Sequence, residues 1–130
     1  MPLFKSLGDN KTLPLPLMNI INGGVHANNS LRIQEFMIRP DKAKTFKEAV
    51  NICFLVIQKL KSLIIKKKFS TTLGDEGGFA PSLPNNEEAI ELILTAINSA
   101  GIKAGTDISI CLDVAANELF KNNKLEIYYD

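Results

Sequence analysis

Apolar positions along this chain follow two periods. From Thr45 to about Lys66, Val50, Cys53, Phe54, Ile57, Leu60 and Ile64 recur at three- and four-residue steps, which predicts a helix with one apolar face. Thr45 with Glu48 three residues on reads as its capping box. Lys66, Lys67 and Lys68 stand at its end, where the helix dipole favours cations; they read first as a solvated helix end and second as a binding patch. A second helix is expected after Asn85 or Asn86, with Glu87 and Glu88 in its first turn, Ile90, Ile93, Leu94, Ile97 and Ala100 as its apolar face, and Gly101 as its stop. Strand-like runs flank these helices. "SLRIQEFMI" (30–38) stops at Pro40, "FSTTL" (69–73) is short, and "DISICLDVAAN" (107–117) reads as buried from its apolar content. Before them, "LPLPLMNIINGG" ends in Asn22-Gly23-Gly24, a chain-reversal signal. The predicted order is two strand-like segments, a helix, a short strand and loop, a helix, and a strand. That is an α/β arrangement.

The bulk numbers narrow the function classes. With 130 residues, 45% of them hydrophobic and 22% charged, the chain has the composition of one ordinary globular domain. A formal net charge of +1 gives no electrostatic footprint for nucleic acid or an anionic membrane. Cys53 and Cys111 are far apart and set among apolar or small residues, so they read as buried thiols of a reducing compartment. The N-terminal "MPLFKSLGDNKT" lacks a signal peptide's apolar stretch. The run Ile52 to Ile57 is far short of the ~20 residues a bilayer needs, and Lys59 and Lys61 follow it. The expectation is a soluble, cytoplasmic chain.

Candidate chemistry collects in four places. In the last strand, alternation sets Ile108, Ile110, Leu112 and Val114 on one face and Ser109, Cys111 and Asp113 on the other. Asp113 thus comes near the carboxyl end of an apolar strand, where α/β folds assemble their sites. It can cap a following helix or bind a hard cation such as Mg²⁺. Glu35 would share a face with Leu31, Ile33 and Met37, where a charge is costly without a partner; the plainer reading is an exposed edge strand. Its neighbour Gln34 reaches the same site only if the strand begins or kinks there. His26, the only histidine, sits in "GGVHANN", a loop by composition that suits a surface side chain or a site. "TTLGDEGGFAP" (71–81) places Asp75 and Glu76 among glycines. Acids there would repel a phosphate, while a carboxylate pressed against other acids holds its proton and can donate it. The plainer reading is a turn whose acids face water.

"LPLPLMNIINGG", "HANNSLRIQEFMI", "LGDEGGFAP" and "CLDVAANE" occur in an order and at spacings that resemble enolase (phosphopyruvate hydratase) over essentially the whole chain. The resemblance implies the opening ββαα(βα) segment of a TIM-type (β/α)8 barrel, with the second strand antiparallel, over residues 1–130. It implies a lyase of glycolysis that uses Mg²⁺ to dehydrate 2-phosphoglycerate to phosphoenolpyruvate. Glu76 then matches the general acid, Glu35 a second glutamate beside it, and His26 and Gln34 residues that contact the substrate. Asp113 matches the first of three Mg²⁺ carboxylates. Enolase-superfamily sites use a Lys or His base with Mg²⁺ at an ene-diolate. Val25 stands where a serine is frequent and Asn28 where an aspartate is frequent, which bears on loop geometry.

The N-terminal domain, the lysine base and the remaining metal carboxylates of the resemblance have no counterpart here. A complete barrel takes ~250 residues. Three readings follow: part of an enolase whose longer form is a homodimer or larger, a short product that persists as an inactive remnant or binding module, or an unrelated metal- or phosphate-binding protein. The ordered motifs favour the first two, and intact Glu35, Glu76 and Asp113 favour the first. The isolated segment is expected to be marginally stable, inclined to self-associate, and inactive.

Overall fold

The computed structural model describes residues 2–8, 12–121 and 124–125. Its centre is a three-stranded sheet of β1 (Met18–Asn22), β2 (Glu35–Arg39) and β3 (Ser109–Asp113) in that spatial order. Both neighbouring pairs are antiparallel. The central strand therefore runs against the other two, as the resemblance implies. Between β2 and β3 the chain forms α1 (Phe46–Lys66) and α2 (Asn86–Ser99), which pack on each other. A short pair, β4 (Phe120–Lys121) and β5 (Lys124–Leu125), follows β3. Among the described residues no helix is long and apolar enough to cross a membrane.

The helix ends follow their local chemistry. Thr45 accepts a bond from the Glu48 amide at 3.1 Å, and the Glu48 carboxylate accepts from the Lys44 amide at 2.8 Å, so the capping box closes one residue upstream of the cap. Asn85 caps α2 by accepting from the Glu88 amide at 2.8 Å. Lys67 pairs with Glu88 across the two helices and the lysines at 66–68 are all exposed, as a solvated helix end requires.

Register sorts the sheet into two faces, because directly paired residues point the same way. Ile21, Phe36 and Leu112 form one row, and Met18, Ile38 and Ile110 the next. Residues from both rows join one core with Cys53, Val56, Leu60 and Ile64 of α1 and Leu92, Ile93, Ala96 and Ile97 of α2. Burial there pushes the Cys53 thiol up to about 11. The opposite face carries Asn22, Glu35 and Asp113 in one row, then Asn19, Met37 and Cys111. A register shift between Asn19 and Ile21 makes this possible. Two residues three apart in a regular strand face opposite ways, and the bulge turns both asparagines to one side.

Four expectations are corrected. On α1 the buried stripe is Ala49, Cys53, Val56, Leu60 and Ile64, and Phe54 is exposed. On α2 the stripe is Ala89, Leu92, Ile93, Ala96 and Ile97, with Ile90 and Leu94 only part-buried beside it. In both, alanine lets the backbone approach closely, which rotates larger neighbours off the contact. Residues 69–73 form no strand: Ser70 Oγ bonds the Thr72 amide at 3.1 Å, a local turn that competes with a ladder. Phe79 instead bridges β1, donating to Ile20 O and accepting from Asn22 N at 2.9 Å each. Finally, β3 is not a buried strand. Among the described strands it lies at the sheet's edge, so Leu112 and Val114 are 41% and 39% exposed.

Candidate active site

The site grows from the end of β1. Asn22 closes the strand, and Gly23 and Gly24 turn the chain into a 3-10 turn, Gly24–His26. Amide bonds from Gly23 to Gln34 O at 2.9 Å and from Gly24 to Leu31 O at 2.8 Å tie this turn to the approach of β2. Asn86 Oδ1 accepts from the Arg32 and Ile33 amides at 3.2 and 3.3 Å, which occupies that approach in non-ladder bonds. The strand therefore begins at Glu35. Glu35 accordingly does not share an apolar face with Leu31 and Ile33; it lies in register between Asn22 and Asp113.

The acid loop arrives from the other side. Gly74 N donates to Gly78 O at 2.9 Å and closes a tight loop whose tip carries Asp75 and Glu76. The Asp75 amide donates to His26 O at 3.1 Å. A Cβ on Gly74 would lie 2.6 Å from Asn22 Cβ and 2.7 Å from His26 O, and one on Gly78 would overlap Asn22 Oδ1. These glycines serve close approach to β1 itself.

Three of the five candidate residues come together. Ligating atoms of His26, Glu35 and Glu76 all lie within 4.8 Å of one another. His26 Nδ1 stands 3.6 Å from Glu35 Oε1, too long for a hydrogen bond, and it is buried without another partner. The Glu35 carboxyl is held above the usual range, first by burial, then by the charges of Glu76 and Asp113, with His26 acting the other way. Glu76 is exposed at the loop tip.

Asp113 stands apart from that triad but in the same row, one strand over from Glu35. It is exposed, and one of its oxygens accepts from the Ala115 amide at 2.9 Å. That bond forms a local turn and is not a helix cap: the 3-10 turn that follows, Ala116–Leu119, has Ala115 as its N-cap and receives no side-chain bond there. Gln34 is not brought to the triad. It lines a separate cavity of about 240 Å³ with Gly24, Arg32, Val114 and Ala115. Val25 and Asn28 line a second pocket, of about 260 Å³, beside His26 and Asp75.

Sequence reading missed the amides. Asn22 is fully buried, and neither its side-chain oxygen nor its nitrogen has a partner; the same holds for the buried amide atoms of Asn19. Asn29 donates from Nδ2 to Asn22 O at 2.9 Å and to Pro81 O at 3.2 Å, linking the His26 loop to the far end of the acid loop. The available signal was "MNIIN", two asparagines at odd spacing inside an apolar strand.

The family model for the enolase C-terminal TIM barrel domain matches residues 10–130. The enolase of Pelagibacter ubique (strain HTCC1062) is 65% identical over 130 residues, which cover 98% of this chain and 31% of that relative. The chain thus spans about a third of the curated relative's length. By its match to the C-terminal barrel domain, the chain belongs to the enolase family.

Proposed function

We propose that this chain carries the acid side of an enolase active site, which dehydrates 2-phosphoglycerate to phosphoenolpyruvate. The observation that supports this most is the convergence of His26, Glu35 and Glu76 in the same quarter as Asp113. Glu76, on an exposed tip, gives its proton to the hydroxyl that departs as water. Glu35, whose carboxyl is held above the usual range chiefly by burial, stands beside it as the second glutamate of the site. His26, whose ring stands beside Glu35, and Gln34, which lines a separate cavity, contact the substrate in this reading. The base that takes the proton from the neighbouring carbon belongs to barrel strands outside these residues.

Mg²⁺ suits the donor set in kind. Asp113 offers a hard carboxylate oxygen at the end of β3, in the row shared with Glu35. One such carboxylate binds the ion weakly alone, so residues beyond this segment complete the set. Bound there, such an ion would supply positive charge to neutralise a substrate carboxylate. The same reading includes a longer protein that is cytoplasmic and a homodimer or larger, with 1–130 as one part of its barrel.

The test is a graft. This segment replaces its counterpart in the Pelagibacter ubique enolase, and phosphoenolpyruvate formation is followed. The expected result is an active graft, loss of about 10²–10⁴-fold in turnover with Glu76→Gln, and no activity from the isolated segment. A folded graft that makes no phosphoenolpyruvate overturns the reading.

A further inference from the structure

We propose that Asn22 is a positioning residue for the acid of this reaction: its carboxamide is the seat on which the Gly74–Gly78 loop rests, and it sets where Glu76 stands. The inference rests on the functional reading above. Asn22 is 0% exposed, yet both polar atoms of its amide are unpartnered. Leaving such a group unpaired is unfavourable, and an apolar side chain of similar volume would fill the space without that cost. A purely structural position has no use for the amide.

Its surroundings say what it acts on. The carboxamide occupies the space that side chains at the loop's neck would need. A Cβ on Gly74 would lie 2.8 Å from Asn22 Cγ, and a Cβ on Gly78 would overlap Oδ1. Those two glycines bracket Glu76. The main chain of Asn22 is tied on both sides as well, donating to Phe79 O at 2.9 Å and accepting from Asn29 Nδ2 at 2.9 Å. In the sheet it pairs with Glu35. One residue therefore fixes the distance between the exposed acid at the loop tip and the carboxyl beside it.

A misplaced Glu76 slows one bond change and spares another. Loss of water breaks the C–O bond, and the departing hydroxide takes the Glu76 proton. Exchange of the hydrogen on the neighbouring carbon needs only the base, which lies elsewhere. In the active graft, Asn22→Ala is expected to lower phosphoenolpyruvate formation by about tenfold or more, as a misplaced catalytic group does. KM and the rate of that hydrogen's exchange into heavy water, read by proton NMR, should stay within about twofold of the parent, because binding and base are untouched. Gly78→Ala should cost less activity in the Asn22→Ala background than alone, because the overlap with Oδ1 is gone. Asn22→Ser serves as the second variant. Equal loss of exchange and water elimination overturns the proposal, as does unchanged activity in both variants. Failure of both variants to fold also overturns it, since Asn22 would then be structural. An unmodified graft without activity overturns the functional reading beneath it, and the proposal falls with it.

Discussion

The two faces of the sheet are built on opposite terms. Under the helices, Ile21, Phe36 and Ile38 meet Cys53, Val56, Leu60 and Ile64 in a core where apolar atoms meet apolar atoms. On the other face, Asn19, Asn22 and His26 bury polar atoms with no partner, and the Glu35 carboxyl is held above its usual range, first by burial and then by two neighbouring acids. Stability alone explains the first face. It does not explain the second, because each unpaired buried group opposes folding. Departures from locally favourable chemistry cluster at functional sites; here Asn22 shares a row with Glu35 and Asp113, Asn19 lies in the next row of the same face, and His26 in the turn that follows β1.

The comparison is sharpest where the expected effects are largest. Leu60→Ala, fully buried under the helices, should cost about 2–5 kcal/mol in urea unfolding of the chain. On the other face the loop glycines discriminate more finely. Gly78→Ala should cost about 1–3 kcal/mol or more, since besides Asn22 Oδ1 the new methyl meets rigid backbone at 3.0 Å from Ile20 C and Ile21 N. Gly77→Ala meets nothing within 4 Å and pays only for a φ of +79°, about 1–2 kcal/mol. Equal losses at Gly77 and Gly78 would mean that the loop does not rest on Asn22. Asn19→Leu should change sign and stabilise the isolated chain by about 1 kcal/mol, because it removes an unpaired amide. A destabilisation at Asn19 comparable to Leu60→Ala would erase the distinction between the faces.

Much of the helix-covered side is legible in the sequence, because helix caps and apolar periods are local signals. Thr45, Glu48 and Asn85 act where the pattern places them. The buried stripes on α1 and α2 lie part of a turn away from the expected ones because they include Ala49, Ala89 and Ala96, and alanine is a weak marker in a hydropathy pattern. The polar side was legible through its acids and glycines, which brought Glu35, Glu76 and His26 forward. The row that joins Asn22, Glu35 and Asp113 depends on a bulge between Asn19 and Ile21. A one-residue shift reverses every side chain beyond it, and its one local trace is the odd spacing of Asn19 and Asn22 within an apolar strand. Gln34 comes forward from the resemblance alone, on the condition that the strand begins or kinks there; β2 does begin at Glu35, and Gln34 lines a cavity apart from the triad.

The smallest effect separates the faces by its dependence on pH. Glu35 has a carboxyl raised from 4.5, first by burial and then by Glu76 and Asp113. Between the unfolded value and the raised folded value, the folded chain binds more protons than the unfolded one. Its stability therefore falls as pH rises through that window and stays lower above it. Asp107, at the rim where α1 begins, behaves in reverse. The Lys42 side chain and the Lys103 amide hold it below the usual range, so its contribution is present above the unfolded value and lost as pH falls through the lowered one. Unfolding curves of Glu35→Gln and Asp107→Asn across pH 3–8 should thus diverge. The first should match the parent at the acid end and exceed it near neutrality; the second should match it at the acid end and fall below it near neutrality. Parallel pH profiles for Glu35→Gln and the parent would mean that the neighbouring acids exert no net strain on Glu35, and that the polar face is as settled as the apolar one.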